Sequence, residues 1–244
     1  MIQHFEKDIT VSQYECDFLN RMKPSSILRQ VEQVSMDNCT AIGVDAALYE
    51  RTHTAFLLAK LVLVLNRDIT VGEQLHLDTT AALPVRAVYN RYTSLTVSGE
   101  EAAGVDTRWV LVDTQTKRIL RKPPEEFQLP FVDRTEKSFD MSIRKGTELE
   151  TLGMVKAEYS RTDINGHLNN AEYADIVFNY LPAELLREQA LKKMVIYYHN
   201  ELPFGEEMRI LRGTNEDGQF YFQGIRERDG KPCFEAEAIF ENGC

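Results

Sequence analysis

A weak internal repeat restricts the folds open to this 244-residue chain more than any other feature of its sequence. Residues 71–77 (VGEQLHL) recur as residues 204–210 (FGEEMRI), an offset of 133, and both keep the pattern apolar-Gly-Glu-x-apolar-x-apolar. Upstream, residues 14–20 (YECDFLN) have a counterpart in residues 159–165 (YSRTDIN), an offset of 145. Two matches in the same order indicate two similar units in one chain, the second shorter between its matches.

A proline-containing segment separates the two copies. Pro123, Pro124 and Pro130 are three of the eight prolines. Proline has no N–H to give to a sheet and restricts the residue before it, so we predict an extended connector here. The predicted organisation is a first unit over residues 1–122, a linker over residues 123–138 and a second unit over residues 139–244.

Each copy contains one segment with helical periodicity. In the first copy, Pro24 opens a segment whose apolar residues recur at the spacing of one helical face, namely Ile27, Leu28, Val31 and Val34. The second copy shows the same spacing at residues 173, 176, 177, 180 and 181. Asn169 and Glu172 predict a capping box at its start, and Pro182 predicts its end.

Long strand-like segments follow each helix. They are rich in β-branched and aromatic residues and cover residues 55–65, 74–82, 90–98, 107–114, 193–198, 208–213, 219–226 and 232–240. Turn-forming residues at 113–117, 215–218 and 228–231 predict hairpins. The pattern predicts an α+β fold in which an antiparallel sheet wraps a long helix, twice in one chain. This is a tandem, or double, hot-dog.

Charge and composition exclude several classes of function. Asp and Glu outnumber Lys and Arg by 38 to 28, and the net charge of −10 disfavours non-specific binding to nucleic acid or to an anionic membrane. The chain has no apolar run of ~18 residues and begins without a signal-type segment, so we expect a cytoplasmic protein. Four scattered cysteines predict free thiols, and without a nucleotide loop or metal signature we expect no cofactor and no metal.

A polar cluster stands where a strand should pass into the second helix. Asp163, Asn165 and His167 alternate there, and Gly166 permits an unusual backbone angle. One interpretation is a polar turn that caps the helix. The other is a site in which the N–H groups and partial positive charge of the helix start bind a polarised carbonyl. The corresponding place in the first copy has no His, so one unit is expected to carry chemistry and the other to bind.

The motif Asp163-x-Asn165-x-His167-x-x-Asn170-x-x-Tyr173 resembles the acyl-acyl carrier protein (acyl-ACP) thioesterase family of plants and bacteria. Residues 198–201 (YHNE) and 108–113 (RWVLVD) carry the same resemblance, which extends over nearly the whole chain. The resemblance implies two hot-dog units and a hydrolase of fatty acid biosynthesis that cleaves the thioester between a fatty acyl group and its carrier protein. The catalytic residues that it implies are Asp163, Asn165, His167 and Glu201.

The residues favour attack by water or a carboxylate over a thiol nucleophile. One scheme for the family places a cysteine directly after the glutamate, and this chain has Leu202 there. In the expected mechanism Glu201 or His167 takes a proton from water, while Asp163 orients His167 or the water. The Asn165 amide and the N–H groups of the helix start hold the thioester carbonyl. The identity of the base stays open.

The expected partner is acyl carrier protein with its phosphopantetheine-linked fatty acyl chain, and a homodimer stays open. An acidic enzyme and an acidic carrier repel, so docking needs local positive charge; the candidates are Arg86, Arg91, Arg144, Lys145, Lys192, Lys193 and the basic residues within 118–122. The residues expected to bind the acyl chain are Ile27, Val31, Val34, Phe56 and Trp109. Two alternatives are a non-catalytic acyl-binding module and a hot-dog hydratase or dehydratase.

Overall fold

The computed structural model describes residues 4–127 and 129–242, and within them ten strands form one antiparallel sheet. The strands are β1 Phe5–Thr10, β2 Thr54–Leu65, β3 Gln74–Ala81, β4 Val88–Val97, β5 Glu100–Asp113, β6 Thr147–Lys156, β7 Gln189–Tyr198, β8 Glu207–Thr214, β9 Phe220–Arg226 and β10 Pro232–Asn242. Their order across the sheet is β1-β3-β4-β5-β2-β7-β10-β9-β8-β6. The first five strands in this order come from the first half of the chain and the last five from the second.

Each half of the sheet packs against a helix. The helices are α1 Pro24–Ala41, α2 Ala46–Thr52, α3 Glu172–Asn179 and α4 Ala183–Glu188. The helix α1 belongs to the first half and α3 to the second, so the arrangement is the predicted tandem hot-dog. The predicted ranges omit the short helices α2 and α4 and the edge strands β1 and β6. None of the described helices combines the length and the hydropathy needed to cross a membrane.

The two halves join edge to edge at β2 and β7. The register runs from Lys60 opposite Tyr197 to Val64 opposite Lys193. Buried side chains of both strands at this seam belong to one apolar core that also contains residues of α1 and α3. The two halves therefore share a core, and groups on α1 can face groups of the second half.

The start of α3 differs from the sequence-based prediction. The Asn169 side chain accepts a hydrogen bond from the N–H of Ala171 at 2.8 Å, two residues on. The Glu172 side chain binds Arg29 and Arg161 instead of the backbone before the helix. The predicted capping box is therefore wrong, because Asn169 forms a local turn and the helix begins at Glu172. The helix ends at Asn179, before Pro182.

Residues 138–145, here called the strap, cross the outer face of the seam. Met141 packs on Val62 of β2 and Val195 of β7. The Asp106 side chain is fully buried and accepts the N–H of Phe139 at 3.0 Å. These contacts hold the connector against both halves. The domain boundaries at 122, 123–138 and 139 stay a prediction.

Several cations predicted to dock a carrier protein are already engaged. Arg91 is only 5% exposed and donates to Asn38 and Thr79, so its assignment to a docking surface is wrong. In the strap, Arg144 pairs with Glu237 and Asp217, and Lys145 with Glu235. Lys193 lies 3.7 Å from Asp140. By contrast, Arg86, Arg118, Arg121 and Lys122 are exposed.

Candidate active site

The polar cluster of the second half lies on a turn that the first half repeats. In residues 163–167, the second-half turn, the N–H of Asp163 donates to the carbonyl of His167 at 3.0 Å. In residues 17–21, the first-half turn, Asp17 donates to Arg21 at 2.8 Å. The true offset is therefore 146, and the alignment at an offset of 145 is wrong by one residue. Gly166 adopts a φ of 79° at the bend, which favours glycine.

Each turn is bonded to the segment that precedes the repeated Gly-Glu motif. In the second half, the N–H of Leu168 donates to the carbonyl of Leu202 at 2.8 Å, and His167 forms a bridge with Pro203. In the first half, Met22 bonds to Ile69 in the same way, at 2.7 Å. This pairing brings Glu201 beside His167 although the two are distant in sequence.

The four predicted catalytic residues come together on these two segments. The Asp163 carboxylate lies 3.7 Å from Nδ1 of His167, and the Glu201 carboxylate lies 3.6 Å from Nε2. The imidazole therefore stands between two carboxylates. The side chains of His167 and Asp163 are 16% and 17% exposed, whereas that of Glu201 is 56% exposed. Both distances exceed a hydrogen bond, and such contacts often tighten only when substrate binds.

Asp163 also orients Asn165. One carboxylate oxygen accepts the backbone N–H of Asn165 at 2.8 Å, and the other accepts its side-chain Nδ2 at 3.2 Å. A side-chain amide has two N–H groups, and only one of them is used here. The exposed Asn165 amide is thus held by Asp163 and retains a donor for a substrate oxygen.

The backbone donors at the start of α3 are partly committed. The N–H of Ala171 binds the Asn169 side chain, and the N–H of Glu172 binds the Asn169 carbonyl at 3.0 Å. Two of the N–H groups that were expected to bind the thioester carbonyl, those of Ala171 and Glu172, are therefore already bonded within the protein. The Asn165 amide becomes the main candidate for that contact.

Arg226, which carries no sequence motif, fixes the backbone of Glu201. Its guanidinium donates to the Glu201 carbonyl at 2.7 Å and is itself bound by the Asp229 carboxylate at 2.7 Å. The hydrogen bond from Arg226 is the main reason that the pKa of Asp229 falls to about 2. Only the tertiary structure reveals this support, because β9 and the Glu201 segment are distant in the chain.

The described cysteines are unsuited to nucleophilic attack. Cys233 is fully buried, and burial raises the pKa of its thiol to about 11. Burial also raises the pKa of Cys16 and Cys39. The reactive form of cysteine is the thiolate, which these shifts disfavour. Cys244 lies outside the described residues, within which no group of three or more His, Cys, Asp or Glu side chains is placed to hold a metal ion.

The residues predicted to bind an acyl chain fall into two groups. Ile27, Val31 and Val34 are buried on α1 in the main core. Phe56 packs in a second apolar cluster, and Trp109 contacts both this cluster and the main core. The last residue of β2 that pairs with β7 is Lys60, opposite Tyr197. Phe56 therefore lies beyond the C-terminal end of β7, the end from which the chain continues to Glu201. A separate surface cavity of about 320 Å³ between β6 and α3 contains none of these side chains.

The first-half turn forms a closed counterpart of the site. Arg21 stands in the place of His167, and its guanidinium binds Asp17 at 3.2 Å and the Leu186 carbonyl at 2.7 Å. Leu19 corresponds to Asn165 at the offset of 146 between the turns, and Asp68 corresponds to Glu201 at the offset of 133 between the Gly-Glu motifs. The remaining cavity has a volume of about 20 Å³, room for about one water molecule. Of the two turns, only the second-half turn therefore carries an imidazole.

Two family models match the chain: the acyl-ACP thioesterase N-terminal domain over residues 3–129 and the C-terminal domain over residues 144–242. A chloroplastic acyl-(acyl-carrier-protein) hydrolase of Cuphea viscosissima is 22% identical over 242 residues, which cover 89% of this chain and 57% of that protein. A chloroplastic palmitoyl-acyl carrier protein thioesterase of Arabidopsis thaliana is 20% identical over 214 residues, 81% of this chain and 52% of that protein. The chain spans little more than half the length of these curated relatives.

Solved structures match the whole fold. An acyl-ACP thioesterase from Bacteroides thetaiotaomicron superposes with a TM-score of 0.87 at 17% identity, covering 98% of each chain. A 12:0-ACP thioesterase from Umbellularia californica gives a TM-score of 0.83 at 13% identity, covering 99% of this chain and 98% of that one. At such identities the likeness establishes the fold, and it confirms the tandem hot-dog.

Proposed function

The chain belongs to the acyl-ACP thioesterase family, and from this premise we propose that it hydrolyses the thioester between a fatty acyl chain and acyl carrier protein. The products are a free fatty acid and the carrier with its phosphopantetheine thiol. The observation that carries the proposal is the imidazole of His167 between Asp163 and Glu201. The cytoplasmic location expected from the sequence stays a prediction, and the units 1–122 and 139–244 are proposed as acyl-binding and catalytic.

In the proposed mechanism, His167 is the general base. Nδ1 faces Asp163, which orients the ring and stabilises it once it is protonated. Nε2 faces Glu201 across 3.6 Å, and a water molecule that contacts both groups is held by two acceptors. As the water oxygen attacks the carbonyl carbon, one of its protons passes to Nε2. Glu201 accepts a hydrogen bond from the other hydrogen and fixes the direction of attack.

Attack converts the thioester carbonyl to an oxyanion. The second N–H of the Asn165 amide, already positioned by Asp163, donates to this oxygen. When the carbonyl re-forms, the carbon–sulfur bond breaks, and the imidazolium returns its proton to the leaving sulfur. One water is consumed, one acid and one thiol are formed, and the site is restored.

The experiment that tests this function follows thiol release from carrier-bound acyl chains of six to eighteen carbons. We expect release of both thiol and fatty acid, with a preference for certain chain lengths. His167→Ala should lower kcat by at least about 100-fold, the scale of a lost acid–base group. Binding without thiol release would indicate the acyl-binding module, and an enoyl product or hydration of an enoyl substrate would indicate the hydratase or dehydratase.

A further inference from the structure

The segment that carries Glu201 is bonded to two different parts of the second half. The carbonyl of Leu202 accepts the N–H of Leu168, which follows the second-half turn, at 2.8 Å. The preceding carbonyl, that of Glu201, accepts the Arg226 guanidinium at 2.7 Å. This carbonyl and the nitrogen of Leu202 belong to one planar peptide unit, so a bond to it restrains both residues. Arg226 therefore acts on the backbone that places the Glu201 carboxylate 3.6 Å from His167.

Arg226 is itself held rigidly. It is the last residue of β9 and is only 7% exposed. Its Nε and Nη2 donate to the two carboxylate oxygens of Asp229 at 3.0 and 2.7 Å, and its third nitrogen, Nη1, donates to the Glu201 carbonyl. A guanidinium presents its N–H groups in a fixed planar fork, so a carboxylate that binds two of the nitrogens also directs the third. Asp229 thus aims the donor at Glu201.

The internal repeat gives Arg226 an apolar counterpart. Arg226 lies opposite Met208 in the register of β9 with β8. At the offset of 133, Met208 corresponds to Leu75, and the register of β3 with β4, continued by one pair, places Val97 opposite Leu75. Arg226 and Val97 are each the last residue of their strand, and each is buried. Of these two matching positions, only the one in the second half carries a charge.

The first half binds the matching carbonyl from within its own segment. Asp68 corresponds to Glu201, and its carbonyl accepts the guanidinium of the adjacent residue, Arg67, at 2.6 Å. The side chain of Arg67 is 39% exposed. A donor on the neighbouring residue moves with the segment that it binds, whereas Arg226 and Asp229 belong to the hairpin of β9 and β10. Of the two matching carbonyls, only that of Glu201 is therefore anchored to another strand.

The Gly-Glu motif of the second half also favours a cation at this place. In the first half, Glu73 accepts the N–H of Thr70 at 2.7 Å. Pro203 stands at the place of Thr70 in the second half and has no N–H to donate. One buried carboxylate oxygen of Glu206 consequently has no hydrogen-bond partner within the described part of the chain, and it lies 3.9 Å from Nε of Arg226. A buried carboxylate oxygen without a hydrogen bond is stabilised by a nearby positive charge.

We propose that Arg226 is a positioning residue for the hydrolysis, which holds the Glu201 carboxylate beside the water that His167 deprotonates. The proposal rests on the proposed thioesterase activity. The Glu201 side chain is 56% exposed, so its position depends on the backbone that carries it more than on packing around it. Arg226 restrains that backbone from β9 and acts on the reaction through Glu201, without touching the substrate.

The test measures kcat and KM for thiol release by Arg226→Lys, by Glu201→Gln and by the variant that combines them. Lysine keeps the charge but lacks the fork that binds Asp229 and the Glu201 carbonyl together. We expect Arg226→Lys to lower kcat at least about tenfold and to leave KM within about twofold, because a misplaced catalytic group slows the reaction. In the Glu201→Gln background the same change should cost less than about twofold, since the carboxylate that it positions is gone. A loss of equal size in both backgrounds would overturn the proposal.

Two further variants guard this comparison. Arg67→Lys is the matched control, because Arg67 binds the corresponding carbonyl of the first half, and it should leave kcat within about twofold. Asp229→Asn replaces Arg226→Lys if the latter does not fold, since Asp229 lies at the hairpin with 27% of its side chain exposed. It should lower kcat at least about threefold, and only while Glu201 is present, because the guanidinium is less well aimed. An unchanged kcat for Asp229→Asn, or equal losses for Arg67→Lys and Arg226→Lys, would overturn the proposal.

Hydrogen exchange of backbone amides tests the same placement without the reaction. In Arg226→Lys, the N–H of Leu168, bonded to the Leu202 carbonyl, should exchange at least about tenfold faster than in the wild type, because the segment loses its anchor on β9. The N–H of Met22, bonded to Ile69 in the same way in the first half, should keep its rate. An unchanged rate at Leu168, or equal acceleration at Met22, would overturn the placement. The expected exchange together with a wild type that releases no thiol would overturn the proposed function and, with it, the catalytic part of the proposal.

Discussion

The main difference between the two turns is a single residue, His167 in the second half against Arg21 in the first. The two turns share a backbone hydrogen bond and an aspartate at the same place. An imidazole can accept and release a proton near neutral pH, whereas a guanidinium stays charged and has no acceptor. Arg21 instead binds Asp17 and carbonyls of the second half. At the position where the second half has the proposed proton-transfer group, the first half therefore has a structural link between the halves.

Replacement of Asn165 by alanine tests the proposed oxyanion contact. We expect Asn165→Ala to lower kcat by about 100-fold or more, because a positioned amide donor is lost at the developing anion. Leu19→Ala, the change at the matching place in the first-half turn, is the control and should leave kcat within about twofold, since an apolar side chain supplies no such donor. Steady-state thiol release measures both. A kcat for Asn165→Ala within twofold of the wild type would contradict the role of the amide.

At the scale of elements, the strap is the part of the connector that ties the two halves together. Its Phe139 N–H is bonded to buried Asp106, and Tyr197 of β7 donates its hydroxyl to the Met141 carbonyl at 2.6 Å. Asp106 also pairs with Arg108 on the same strand. A buried carboxylate satisfied by several partners cannot be removed without leaving those partners unbonded.

Removal of the Asp106 carboxylate should therefore destabilise the protein without changing its chemistry. We expect Asp106→Ala to lower the free energy of unfolding by about 3 kcal/mol, the scale for breaking a buried charged pair. The control is Asp140→Ala, whose side chain is 72% exposed beside Lys193 and should cost less than about 1 kcal/mol. Urea denaturation measures both. Equal losses of unfolding free energy in the two variants would show that the buried contact between Asp106 and the strap adds no more stability than an exposed ion pair.

At the scale of the whole molecule, the sequence predicts what is local and periodic. Six strands, namely β2, β3, β4, β8, β9 and β10, follow their predicted ranges closely, and α1 begins at Pro24 as predicted, because alternation and helical spacing are encoded in consecutive residues. Two strands start earlier than predicted: β5 begins at Glu100 instead of residue 107, and β7 at Gln189 instead of residue 193. The grouping of Asp163, Asn165 and His167 is also local. The inclusion of Glu201 in this group could be predicted only from the resemblance to a family. Glu201 is brought to His167 by a long-range contact, the bridge between His167 and Pro203.

Long-range contacts account for what the sequence does not reveal. The seam between β2 and β7 and the support of Glu201 by Arg226 both join residues that are distant in the chain. The burial of Arg91 is of the same kind, because its partners come from α1 and β3. The correct offset of 146 between the two turns, one residue more than the sequence match suggests, is evident only from their hydrogen bonds.

The exposed cations Arg118, Arg121 and Lys122 form one remaining candidate for a carrier-docking surface, beside Arg86 and Lys192. None of the three has an ion pair within residues 4–127 and 129–242. Reversal of all three charges should raise KM for a carrier-bound substrate about tenfold and weaken its salt dependence, while KM for a short acyl thioester stays unchanged. Arg209→Glu, at an exposed cation of β8, is the control. An equal rise in KM for both substrates would contradict carrier docking at this surface.

We propose that water cleaves the thioester in the second half alone, although both halves carry the same turn. Glu201 and Asp68 occupy matching places, and both are exposed carboxylates. The most direct measurement is therefore kcat for thiol release from acyl-ACP by Glu201→Gln beside that of Asp68→Asn. We expect a loss of about 100-fold or more for Glu201→Gln and of less than about twofold for Asp68→Asn. Equal effects of the two substitutions, or an unchanged kcat for Glu201→Gln, would contradict it.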